Sequence, residues 1–173
     1  SAGGERVHAA GRAWDIIETS GHCRGHLCLH DAHDQVLIAG DQVLPTISPN
    51  VSVLPSRPDA NPLRDFLESL ARLERCAPGT LVLPSHGRPF RGLHRRVDVL
   101  RSHHLKQLES LRAACREPQA AYGLLPVMYG RPLRGFHRFL ALGETVAHLN
   151  YLWHAGDLKR TVDDAGRIHF VAG

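Results

Sequence analysis

Apolar residues along this chain come first in short runs cut off by glycine, proline or charge, and later in longer stretches with helical spacing. Trp14 to Glu18 reads as a β-strand, followed by His26 to His30, Gln35 to Ala39 and Thr80 to Leu83. The Gln35 to Ala39 run alternates poorly, as expected of a strand buried on both faces. Asn61-Pro62 supplies an N-cap and a first helical residue, and Leu63, Phe66, Leu67, Leu70 and Leu73 form one face of a helix ending near Ala77-Pro78-Gly79. A second helix carries Leu93, Val97, Leu100, Leu108, Leu111 and Cys115. From Pro118 the character changes. A short helix at Gln119 to Leu124 leads through Gly130-Arg131-Pro132 to a long helix near Phe136 to His154, whose seam is Phe139, Leu142, Val146, Leu149 and Trp153. A terminal ribbon pairs Leu158 to Val162 with Arg167 to Val171. The pattern predicts an α/β domain over residues 5–117, a linker at Glu117-Pro118, and a smaller domain over 118–173 in which helices precede a two-stranded wing.

Composition fits a folded protein: 43% of the 173 residues are hydrophobic, enough to bury a core. No apolar run approaches the roughly 18 residues of a membrane span, and no signal peptide is visible. Ser1 to Gly4 reads as an expression scar or linker. Cys23, Cys28, Cys76 and Cys115 form no C-x-x-C pair, so the expected setting is reduced and cytoplasmic. A formal charge of +4 permits an anionic partner without establishing one.

Three loops carry the candidate chemistry: Gly21-His22, Gly40-Asp41-Gln42 and Pro84-Ser85-His86-Gly87, each directly after a predicted strand. Strand ends of a layered α/β fold converge, so imidazole, carboxylate and imidazole can meet at one point. Zinc takes neutral His nitrogen and carboxylate oxygen at about 2.0–2.2 Å, and a carboxylate can bridge two cations while offsetting their charge. Other histidines have plainer readings. His26 opens a strand and is expected to be structural. Cys23, beside His22, is expected to pack rather than ligate. His30-Asp31-Ala32-His33-Asp34 has the wrong spacing for a ligand motif and reads as a solvated hairpin turn. Arg91, Arg95, Arg96, Arg101, Lys106 and Arg112 read as a solvated helix face or the rim of a cleft for an anion. His148 is expected to pack or cap, and most of the 13 histidines to lie at the surface.

In these loops and their order the chain resembles the metallo-β-lactamase superfamily, in particular its glyoxalase-II-like hydrolase branch. The resemblance implies the C-terminal half of a four-layer αβ/βα sandwich, with His22 on the first metal, Asp41 bridging both, and His86 on the second. It implies zinc, one or two divalent ions, with Asp41 also orienting the water nucleophile. Gly143-Glu144-Thr145-Val146-Ala147-His148-Leu149 resembles the signature of the branch's small winged-helix-like C-terminal domain. The leading H-x-H-x-D-H motif is absent, so the chain reads as part of a parent hydrolase and as inactive alone. The expected substrates are thioesters, esters or lactones. The alternative is an endoribonuclease or a nucleic-acid-binding module. Expected partners are the missing N-terminal half, a small-molecule substrate, RNA, and a second copy forming a homodimer over an apolar sheet face at Trp14, Ile16, Val36, Ile38 and Val82; no membrane is expected.

Overall fold

A computed structural model describes residues 5–173; Ser1 to Gly4, read above as a scar or linker, lie outside the described residues. Contacts divide the chain into two compact units. One takes the described residues through Pro49 together with Asp65–Arg101, and the other takes Asn50–Arg64 and Ser102–Gly173.

The first unit is built on a five-stranded sheet in the order β1 (Arg6–Ala9), β2 (Arg12–Thr19), β3 (His26–Asp31), β4 (Val36–Gly40), β5 (Leu81–Pro84). Neighbours are antiparallel except β4 and β5, which run parallel. The C-terminal ends of β2, β4 and β5 and the start of β3 therefore share one edge. β1 was not expected, because all four of its residues are exposed and carry no apolar alternation; it pairs with β2 through the Ala10-Gly11 turn. The β3–β4 hairpin turn is fastened more firmly than a plain solvated turn. Asp31 is buried, its Oδ1 accepts from the backbone N–H of His33 and Asp34, and its Oδ2 accepts from Arg12, which also pairs with Asp34. Those hydrogen bonds, Asp34 N–H first and then Arg12, hold the Asp31 carboxyl below its usual range.

Strand register sorts the sheet into two faces. Cys28, Leu37, Ala39 and Val82 lie on one and are fully buried. Phe66, Leu70 and Leu73 of α1 (Pro62–Leu73) and Leu93, Val97 and Leu100 of α2 (Leu93–Ala114) complete the core of this unit. Ile16, Leu29, Ile38 and Leu83 form a single cross-strand row on the other face, and none of the four is fully buried. Two residues expected on an open face are corrected: Val82 sits by register on the helix-covered face, and Trp14, although on the Ile16 side of β2, is buried, its indole N–H reaching Ala9 O. α1 also stops at Leu73, short of the expected Ala77, because residues 74–76 turn off the helix before Pro78.

The second unit holds a 3-10 turn at Ala121–Leu124, α3 (Leu125–Tyr129), α4 (Gly135–His154) and the antiparallel ribbon β6 (Leu158–Val162) and β7 (Ile168–Ala172). Gly130 ends α3 in the left-handed conformation that a side chain disfavours. Burial along α4 begins at Ala141 and takes in Thr145, Ala147, His148, Leu149, Asn150 and Leu152. Phe139, expected to start the seam, is instead 54% exposed.

Candidate metal centre

The three strand-end loops of the first unit bring His22, Asp41 and His86 together. Each is placed by its immediate backbone. β2 gives way to Ser20, whose N–H is held by Ser69 Oγ of α1 at 2.8 Å. Gly21 follows at φ +114°, and a Cβ there would lie 2.3 Å from Phe66 Cβ, so only glycine lets the chain turn against the helix and deliver His22. β4 ends in Gly40 at φ +53°, where a Cβ would lie 2.4 Å from His26 Nε2. Ser85 N–H bonds Gly40 O at 3.0 Å, tying the His86 segment to the end of β4.

Asp41 stands between the two imidazoles. Its Oδ2 is 3.6 Å from His22 Nε2 and its Oδ1 is 3.5 Å from His86 Nε2. Both separations exceed a normal N–H···O hydrogen bond. Two donors each about 2.1 Å from a shared tetrahedral ion are separated by roughly 3.4 Å, which matches each pair. Asp41 Oδ1 is buried without a hydrogen-bond partner, and a buried carboxylate oxygen of this kind calls for a cation or a donor. Among the described residues no group of three or more His, Cys, Asp or Glu side chains closes into a set that could hold an ion by itself. The arrangement therefore fits two half-sites, one on each carboxylate oxygen, rather than a finished centre. His22 and Asp41 side chains are 31% and 29% exposed and His86 is 71% exposed, so the pocket is open on the His86 side.

Residues around this group were less legible. Gln42 is fully buried, donates from Nε2 to Ser20 O at 3.3 Å, and from its backbone to Ala39 O at 3.0 Å, linking the Asp41 loop to the His22 loop. Its position directly after Gly40-Asp41 was the only signal. His26 Nδ1 meets buried Thr19 Oγ1 at 2.9 Å, which turns the ring over Gly40. Burial first, and the nearby His22 second, lower its pKa, with Asp41 opposing them. Cys23 is exposed, which overturns its expected packing; the other three cysteines are buried, and all four are free. The basic helix is partly structural: Arg96 donates to Leu44 O and Ile47 O, and Arg101 pairs with Glu74 and Asp98.

His148 belongs to the second unit and is fully buried there. Its Nδ1 lies 2.8 Å from Glu144 O, and its Nε2 lies 3.0 Å from Nδ1 of buried His104. A carbonyl only accepts, so His148 carries its proton on Nδ1, and His104 must donate to His148 Nε2. Beside them Tyr129 OH donates to Glu144 at 2.6 Å, within a burial that raises the pKa of both groups.

Comparison with known proteins bears on this geometry. Residues 3–86 match the family model of the metallo-β-lactamase superfamily, and residues 108–173 match that of the metallo-β-lactamase-like C-terminal domain. The fold is similar to a β-lactamase domain protein from Burkholderia ambifaria, at 47% identity and TM-score 0.95, over 100% of this chain and 52% of that one. It is also similar to a metallo-β-lactamase family protein from Thermus thermophilus, at 31% identity and TM-score 0.84, over 100% of this chain and 54% of that one. A shorter match, 47% identical over 38 residues, links 22% of the chain to 15% of a hydroxyacylglutathione hydrolase from Rhizobium meliloti. The chain thus spans about half the length of the two solved relatives.

Proposed function

Since this chain belongs to the metallo-β-lactamase superfamily, we propose that it supplies His22, Asp41 and His86 to the metal centre of a hydrolase acting on a thioester, ester or lactone. The observation that carries the reading is the Asp41 carboxylate, set with one oxygen toward each imidazole at metal-sharing distance and with Oδ1 otherwise unsatisfied. The remaining donors come from the half of the relatives that this chain does not span. A shared stretch with a hydroxyacylglutathione hydrolase supports a thioester over other acyl compounds.

Divalent ions bound there, with zinc the proposed occupant, supply Lewis acidity: they bring the pKa of water toward neutral and polarise the scissile carbonyl. The chain's own residues do the positioning. His22 and His86 would hold a divalent ion through Nε2. Asp41 offers charge to both half-sites and, as the one carboxylate among the three, accepts a hydrogen bond from the attacking water and so aims it. Gln42 keeps the His22 and Asp41 loops in register, while His26, held by Thr19 over Gly40, braces the turn that precedes Asp41. The open His86 side leaves room for substrate to approach.

In the full-length protein, Asp41→Asn is expected to lower both bound zinc, read by elemental analysis, and thioester turnover by at least about a hundredfold. Retention of both would refute the assignment of Asp41. The chain by itself should bind zinc weakly in calorimetric titration and turn over little thioester, because three donors do not complete two centres.

A further inference from the structure

The stretch Ala120–Gly143 in the second unit has a composition unlike the rest of the chain. Its only polar side chains are Tyr122, Tyr129, Arg131, Arg134, His137 and Arg138; it contains no Asp, Glu, Lys, Ser, Thr, Asn or Gln. The six consecutive residues Arg134–Phe139 are all exposed, so the first turn of α4 projects from its unit on every side. Phe136 is 70% and Phe139 54% exposed, and their rings stack on one another with centroids 6.3 Å apart. The 3-10 turn and α3, which pack with α4, add exposed Tyr122 and Val127. Large apolar side chains gathered at a surface and flanked by cations mark an interaction site rather than an accident of folding.

We propose that this stretch is a docking surface for an anionic lipid bilayer, with Phe136 and Phe139 entering the headgroup–acyl boundary and Arg131, Arg134 and Arg138 meeting lipid phosphates. Charge complementarity requires an anionic partner: three arginines stand in eight residues with no carboxylate within the stretch to offset them. The rest of the composition selects the kind of anion. A nucleic-acid surface also uses arginine and tyrosine, but it adds lysines along the backbone track and Ser, Thr, Asn and Gln donors, and this stretch has none of those five residue types. Aromatic residues interleaved with arginine serve single-stranded nucleic acid as well; the exposed aliphatic Val127 and the lack of those other donors favour the membrane interface, where phenylalanine gains by leaving water while guanidinium remains with phosphate. The expectation of no membrane partner rested on the lack of a spanning segment, and among the described residues no helix is long and apolar enough to cross a bilayer. Lying on a bilayer is a separate physical state that needs no such helix.

Vesicle co-sedimentation of the full-length protein tests this. Binding is expected to vesicles of phosphatidylcholine mixed with phosphatidylglycerol, with little to phosphatidylcholine alone, and it should weaken as salt is raised. Arg134→Gln and Arg138→Gln should each reduce partitioning about fivefold, and the double variant Phe136→Ser with Phe139→Ser should reduce it at least about tenfold. These positions are exposed, and unchanged circular dichroism would separate lost binding from lost fold. A fluorophore at Phe136→Cys, in a Cys23→Ser background because Cys23 is also exposed, should shift to the blue only when anionic vesicles are added. The proposal is overturned by absence of binding, by equal binding to both vesicle types, or by a fluorophore already shifted without lipid, which would mean that another part of the protein covers the patch. It is equally overturned if the same variants abolish retention of a single-stranded RNA while vesicles are ignored.

Discussion

Asp41 owes its position to the residue before it. Gly40 combines a positive φ with a close approach to His26 that leaves no space for a methyl group, and the two constraints act independently. Gly40→Ala is therefore expected to destabilise the protein by about 1–3 kcal/mol, read by urea titration. His26→Ala in the Gly40→Ala background should recover part of that loss, because it removes the ring the new methyl meets and leaves only the dihedral strain. A Gly40→Ala variant as stable as the parent would show that the loop has another conformation open to it. At the same scale, Asp41 could be singled out as a candidate by the order of its loop after β4 and before Gln42, whereas Thr19, which orients His26 from the far end of β2, is one of many threonines a strand can hold.

Among elements, α2 and α4 are joined by a hydrogen bond between two buried histidines, and both must stay neutral. Burial is the chief cause that holds His104 down to about 3 and His148 down to about 4, with His148 further lowering the former and His103 disfavouring charge on both. The unfolded chain would protonate both near the ordinary 6.5. The folded state thus binds fewer protons over that interval, so the stability tied to this pair is complete above about pH 6.5 and is lost progressively as pH falls toward 4 and then 3. Protonated His148 would also turn Nε2 into a donor facing the donor of His104. Glu144, raised by burial, has the opposite sign and loses its contribution as pH rises. Urea midpoints are expected to fall between about pH 7 and pH 5 for the parent, and the fall should be clearly smaller for the His104→Gln and His148→Gln double variant. Equal falls in both would remove the pair from the account.

At the scale of the molecule, the sheet of the first unit keeps an apolar row, Ile16, Leu29, Ile38 and Leu83, on the face opposite its buried core residues, with Ile38 still 38% exposed and nearby Leu27 49% exposed. Such a surface on the chain in isolation should drive self-association, with a two-fold dimer the simplest closed form. Light scattering at micromolar concentration is expected to give a dimer, and Ile38→Lys to return it to monomer. A parent that stays monomeric would refute association through this face.

Most elements, and the strand-end loops that bring His22, Asp41 and His86 together, were legible in the residue order. Strand runs ending in Gly-His, Gly-Asp and Pro-Ser-His, and a helix opening with Asn61-Pro62, follow from local propensity and hydrophobic period, which act over a few residues and are written in order along the chain. β1 stayed unseen, since four exposed residues carry no hydrophobic signal and become a strand only by pairing with β2. Folding in three dimensions chose which strand face is covered, and it placed Val82 inside and Ile38 outside although both are plain strand aliphatics. It also made Gln42 a lock between two loops, turned Cys23 to solvent, and joined His104 to His148 by a hydrogen bond across 44 residues of chain. Those outcomes turn on register and on contacts between residues distant in sequence, where a side chain's neighbours, and therefore its dielectric and hydrogen-bond partners, exist only once the fold has formed.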